Sequence, residues 1–176
     1  MARFSMHQND ANPPRYTALQ RRLHLLVLLV VASQYLFQGP MRRALAQIES
    51  GADLTFAGFL VTTVHTLGGA LIAAAMLWRW QLARQNPVPV AADRMGDRAS
   101  CYIRIHHQLF YAMVLIMAIS GALHYYLGWR VAGRWHELGK WGLAVLIVVH
   151  VAGAVWHVLT GHREVFSRMM GRDRSR

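Results

Sequence analysis

Four long apolar runs fill most of this chain of 176 residues: roughly Leu19–Gln38, Phe56–Trp80, Ile105–Leu127 and His136–Thr160. Each run of about 17–25 mainly apolar residues is long enough to cross a bilayer core of about 30 Å. The chain is 55% hydrophobic, and four spans leave little of it for a second domain. The expected fold class is all-α: an integral membrane, up-down four-helix bundle, the simplest packing of four spans with short links. Residues 1–15 are polar, contain Pro13–Pro14, and read as a disordered leader. Residues 16–165 form the four-span domain and 166–176 a basic tail.

The formal net charge is +11. Its placement argues for membrane topology, not nucleic acid. Arg3, Arg15, Arg21 and Arg22 precede the first span, Arg79, Arg84, Arg94, Arg98 and Arg104 surround the second link, and Arg163, Arg168, Arg172, Arg174 and Arg176 follow the last span. The opposite side carries only Arg42, Arg43, Arg130, Arg134 and Lys140. The positive-inside bias predicts that both termini are cytoplasmic.

Cys101 is the only cysteine, so no intrachain disulfide can form. No Cys-x-x-Cys-His motif attaches a c-type haem. A competing reading of the N-terminus is a signal peptide, with Arg21–Arg22 before the apolar run and Val31–Ala32–Ser33 as a small-residue cleavage site. The run continues past Ser33 through Tyr35, Leu36 and Phe37, which favours a span. The choice matters because cleavage removes His24.

Between the spans, Gly39–Pro40 reads as a helix stop. Residues 41–55 read as an outer loop with room for a short helix, Met41–Glu49. Trp78–Arg79–Trp80 marks an interface at the end of the second span. Asn86–Pro87–Val88–Pro89 breaks the helix, and Asp93–Arg104 reads as an inner loop or short amphipathic segment. Tyr125, Tyr126 and Trp129 mark the opposite interface. Residues 128–135 read as a short outer link.

Eight of ten histidines fall within or at the edge of spans. His136 and His150 are fourteen residues apart, nearly four helical turns, so both leave one face about 21 Å apart along the axis. Imidazole is costly in lipid without a partner. A six-coordinate haem b needs two axial imidazoles from facing helices. Depth pairs His65 with His136 on the outer side and His24 with His150 on the inner side. The competing reading is of structural polar residues bonding across helices. Gly68 and Gly69 follow His65, and Gly153 and Ala154 follow His150, at the spacing of the ligand's own face; they leave room for a flat macrocycle or for close helix packing. His157 shares the face of His150 and competes with it as inner ligand. Otherwise it lines an inner quinone pocket. His106 and His107 read mainly as solvated, with propionate or quinone contact as the other reading. His124 is placed to approach the outer site, and His162 and His7 read as surface residues. Arg79 and Arg104 inside, and Arg130, Arg134 and Lys140 outside, are candidates for propionate pairing.

The string Leu19–Gln20–Arg21–Arg22–Leu23–His24, His65 with Gly69, His107 with Tyr111 and Gly121, Trp135–His136–Glu137, the pair His150 and His157, and Arg168–Met169–Met170 together resemble the bacterial cytochrome b-561 family. The resemblance covers about residues 15–170, and Trp-His-Glu is its most specific piece. It implies two haems b, with His24, His65, His136 and His150 as iron ligands and His157 and His107 as alternates. Where the family's third span has a leading histidine, this chain has Arg104, so no ligand role is carried there. The resemblance further implies membrane electron transfer, superoxide as donor at the periplasmic face and ubiquinone as acceptor. A basic outer rim of Arg130, Arg134 and Lys140 suits a small anion.

Two other functions compete. One is a haem-b subunit serving a dehydrogenase or a periplasmic redox protein, which predicts a stable partner complex. The other is a non-redox protein such as a histidine-lined metal transporter, which predicts no haem band. Lipid and quinone are the expected partners, nucleic acid is not, and self-association is left open.

Overall fold

The computed structural model describes residues 16–85 and 92–160, the stretch 92–100 by its backbone alone. Five helices follow one another: α1 (Ala18–Leu36), α2 (Gln38–Glu49), α3 (Phe56–Gln85), α4 (Ala92–Leu127) and α5 (Arg130–Leu159). Three helical stretches, Phe56–Gln85, Cys101–Leu127 and Arg130–Leu159, are each long and apolar enough to cross a membrane. A fourth candidate is α1 with α2, bent by 59° at the break between them. The leader, the tail, His7, His162 and residues 168–170 lie outside the described residues.

A capping box starts α1. The Thr17 hydroxyl accepts from the Gln20 N–H at 3.2 Å, and the Gln20 side chain accepts from the Thr17 N–H at 2.8 Å. The helix continues through Ser33 and ends at Leu36. The expected stop at Gly39–Pro40 therefore comes three residues early, and those two residues sit in the first turn of α2. Proline has no N–H and its ring clashes with the carbonyl four residues back, which here belongs to Leu36. The break falls there, and Pro40 occupies a first-turn position where proline is tolerated.

Two further links differ from expectation. The link before α5 is only Gly128–Trp129, not residues 128–135. Gly128 has φ +64°, a conformation that favours glycine, and reverses the chain at once. Its N–H donates to the His124 carbonyl at 3.0 Å. Arg130–Trp135 are thus the first turns of α5. The region Asp93–Arg104 is neither loop nor separate segment, because α4 runs unbroken from Ala92. The second-span helix likewise passes its tryptophans and reaches Gln85.

α1 packs on α3, α4 on α5, and α3 on α4, while α2 lies against α3. α5 does not pack closely on α1 or α3. The core is a small apolar cluster of Ile72, Met76, Val114 and Leu143, surrounded by Val27, Val30, Val31, Phe110, Tyr111, Met113 and Ile147. Large apolar side chains such as Leu29, Val148, Trp141 and Trp156 face outward, as lipid-exposed positions do. We call the end with the α1–α2 elbow upper and the opposite end lower.

Candidate functional site

α5 supplies two of four central histidines. Because α3 and α5 run in the same direction, His65 and His136 fall at one upper level. α1 runs oppositely, so His24 near its start meets His150 near the end of α5. The ring centres of His65 and His136 are 6.1 Å apart with planes at 72°. Those of His24 and His150 are also 6.1 Å apart, with planes at 61°. Two metal–imidazole bonds of about 2 Å, plus half a ring on each side, put such centres roughly 6 Å apart. Both pairs bridge helices that do not pack closely on each other.

At the upper level, His136 Nδ1 lies 2.9 Å from the Met117 carbonyl. A carbonyl only accepts, so Nδ1 carries the proton and Nε2 keeps a free lone pair. Such a second contact orients a metal-binding imidazole. Gly121 on α4 makes room for the ring: a Cβ there would lie 2.9 Å from its Cε1 and Nδ1. Beside His65, a cavity of about 130 Å³ is bounded by Ser33, Gln34, Phe37, Leu60, Val61 and Val64. The donor set, the spacing and the glycine cradle all fit a bis-histidine haem b.

The lower level is more crowded. His106 stacks on His150 at 5.8 Å with planes 8° apart, and His107 meets it at 5.8 Å and 68°. Phe110 adds an edge contact at 5.5 Å. The reading of His106 and His107 as solvated is thereby corrected: both are half-buried, and His106 Nε2 is a buried atom without a hydrogen bond. They begin almost four turns inside α4, which turns them into the bundle. His107 is thus as close to His150 as His24 is. His157 lies seven residues beyond His150, about 10 Å further along α5.

The expected small-residue faces divide. Gly68 is filled from α1: the Gln34 amide occupies the space a side chain would need. Gly69 and Gly153 open onto free space.

Sequence reasoning missed the polar latch at the upper end. Arg42 of α2 donates to Glu137 Oε1 at 2.7 Å, and Lys140 donates to the same oxygen at 2.6 Å. Tyr35 donates its hydroxyl proton to the Lys140 carbonyl at 2.6 Å. Lys140 is therefore engaged and is not a free part of the outer rim; Arg130 and Arg134 are exposed. His124 packs over Gly133, with its Nε2 3.8 Å from Glu49 Oε1. Within Trp-His-Glu, Trp135 faces lipid, His136 turns inward and Glu137 anchors the latch. Cys101 is exposed. No group of three or more metal-binding side chains exists among the described residues.

A helical membrane protein with two facing imidazole pairs, stacked along one helix, has the build of a b-type cytochrome. Residues 15–172 match the prokaryotic cytochrome b561 family, and the chain belongs to it. A cytochrome b562 from Cereibacter sphaeroides is 24% identical over 157 residues, covering 89% of this chain and 96% of that protein. No solved structure matches the chain. Membership implies a multi-pass membrane protein that carries out haem-b electron transfer.

Proposed function

We propose that this protein conducts electrons across the membrane between two haems b, one held by His65 and His136 and the other by His24 and His150. The observation that carries the proposal is the recurrence of the same 6.1 Å spacing at two levels of one helix. A haem with both axial positions taken by imidazole accepts and releases single electrons without binding a substrate at iron. The chain's own contribution is to fix the ligands, through the Met117 carbonyl and the Gly121 cradle, and to hold the two levels about 21 Å apart.

The basic bias supports a cytoplasmic lower end and cytoplasmic termini, and the prokaryotic family supports a bacterial inner membrane. The upper haem then receives electrons at the periplasmic face. The donor we assign is superoxide and the acceptor ubiquinone. Two superoxide anions release two electrons and become dioxygen, while one quinone takes those electrons and two protons to become quinol. Arg130 and Arg134 are exposed at the upper end, where positive charge attracts a small anion. His157, seven residues below His150, is the candidate proton donor to a quinone.

The alternative is a haem-b subunit that takes electrons from a dehydrogenase or a periplasmic protein. Neutralisation of Lys140 by Glu137 favours it, because this removes one of three cations expected to steer superoxide. Purified protein decides between them. The first reading expects two haems b per chain by pyridine haemochromogen, reduction by superoxide, and reoxidation by a short-chain ubiquinone. Haems that superoxide reduces no faster than it dismutates leave only the subunit reading. A chain with no haem refutes both.

A further inference from the structure

α3 and α5 run in parallel register, and their pattern breaks at one place. Fourteen residues below His136, α5 carries His150. Fourteen residues below His65, α3 carries Arg79. The lower imidazole that matches His65 comes instead from α1, and an arginine occupies the vacated level.

Arg79 turns into the bundle. Its neighbours Trp78 and Trp80 are 50% and 39% exposed, while Arg79 itself is half-buried. Its Nη1 donates to the Gln20 carbonyl of α1 at 2.8 Å, and Tyr111 of α4 lies near the guanidinium. Both groups are neutral. No carboxylate among the described residues forms an ion pair with it. Its charge is felt by His24, His107 and His150. The upper level is different: there the Lys140 and Arg42 cations share the Glu137 carboxylate, which offsets their charge, and Arg42 is 70% exposed, where water screens charge. A half-buried cation with no carboxylate partner is costly to desolvate and calls for an explanation.

We infer that Arg79 is a potential-setting residue: its guanidinium, at the level of His24 and His150, raises the reduction potential of the lower haem above that of the upper haem. A fixed positive charge in a low-dielectric setting stabilises the added electron of the reduced form. The asymmetry makes transfer from the upper to the lower level downhill. This rests on the two-haem reading above, and it adds a direction that the symmetric pair spacing lacks.

The test is a spectroscopic redox titration of the detergent-solubilised protein, with the lower haem assigned in a His136→Ala background. Arg79→Gln removes the charge and keeps hydrogen bonding. It is expected to lower the midpoint potential of the lower haem and leave the upper one unchanged. Arg79→Lys keeps the charge and is expected to keep most of the wild-type potential. With both haems bound, an unchanged lower potential in Arg79→Gln overturns the inference, as does an equal shift of both haems. If Arg79→Gln loses the lower haem, Arg79→Lys decides: a retained potential supports the role of charge and a lowered one overturns it. Loss of the lower haem from both variants overturns it in favour of a retention role. A wild type with fewer than two haems overturns the ligand reading itself, and this inference with it.

Discussion

Gly121→Ala separates haem binding from folding. The new Cβ would lie 2.9 Å from two atoms of the His136 ring, a distance real Cβ contacts essentially never show. The ring cannot retreat freely, since its Nδ1–H is held by the Met117 carbonyl at 2.9 Å. Giving way costs about 1 kcal/mol for that bond and about 0.5–1.5 kcal/mol for an off-rotamer side chain. Alanine returns about 0.5–1 kcal/mol in helix propensity. The apoprotein is therefore destabilised by about 0.5–2 kcal/mol. The misoriented imidazole, however, loses about ten- to a hundredfold in metal affinity, or about 1.4–2.8 kcal/mol. The assay is haem transfer to excess apomyoglobin, followed optically. One haem per chain is expected to leave about ten to a hundred times faster than in the wild type, and the other at the wild-type rate. Unchanged loss of both haems would refute the assignment of His136, as would faster loss of the lower haem alone.

Three further outcomes follow from the same geometry. Tyr35→Phe removes the hydroxyl that binds the Lys140 carbonyl and is expected to destabilise the bundle by about 1 kcal/mol, read as a lower Tm in detergent. Arg42→Ala is expected to cost only about 0.2–1 kcal/mol, because the Arg42 and Glu137 side chains are 70% and 48% exposed; a larger change in thermal unfolding would contradict the view of this pair as a screened surface bridge. His157→Ala is expected to keep both haems by pyridine haemochromogen, whereas His150→Ala loses one; the reverse result would move the lower ligand two turns along α5.

The depth pairing of the histidines was legible because it is one-dimensional geometry. Helical rise and alternating direction are enough to bring His65 to His136 and His24 to His150. Pro40 signalled the end of α1 but not its place, since the helix stops at Leu36, whose carbonyl the proline ring would meet, and the Thr17 capping box at its start was missed. The start of α5 was hidden, since Arg130 and Arg134 look like loop residues and only Gly128 signals the reversal. Arg42 and Glu137 are separated by 95 positions, and nothing local joins them. His106 and His107 looked solvated because the apolar run begins beside them, while the helix that aims them begins at Ala92. The ligand roles themselves lie beyond periodicity, as His107 and His24 reach His150 almost equally.

The apolar cluster of Ile72, Met76, Val114 and Leu143 sits midway between the two levels, Leu143 seven residues from each histidine of α5. Above it, the hydroxyls of Thr62, Thr66 and Ser120 each donate back to their own helix. Electrons cross an apolar layer of this kind by tunnelling, whereas protons need a chain of hydrogen bonds. On the proposed reading, charge would cross the bilayer uncompensated, and each electron moved against a potential of 100 mV would store about 2.3 kcal/mol. Vesicles carrying the protein should become electrically polarised during turnover, and a proton ionophore should speed that turnover.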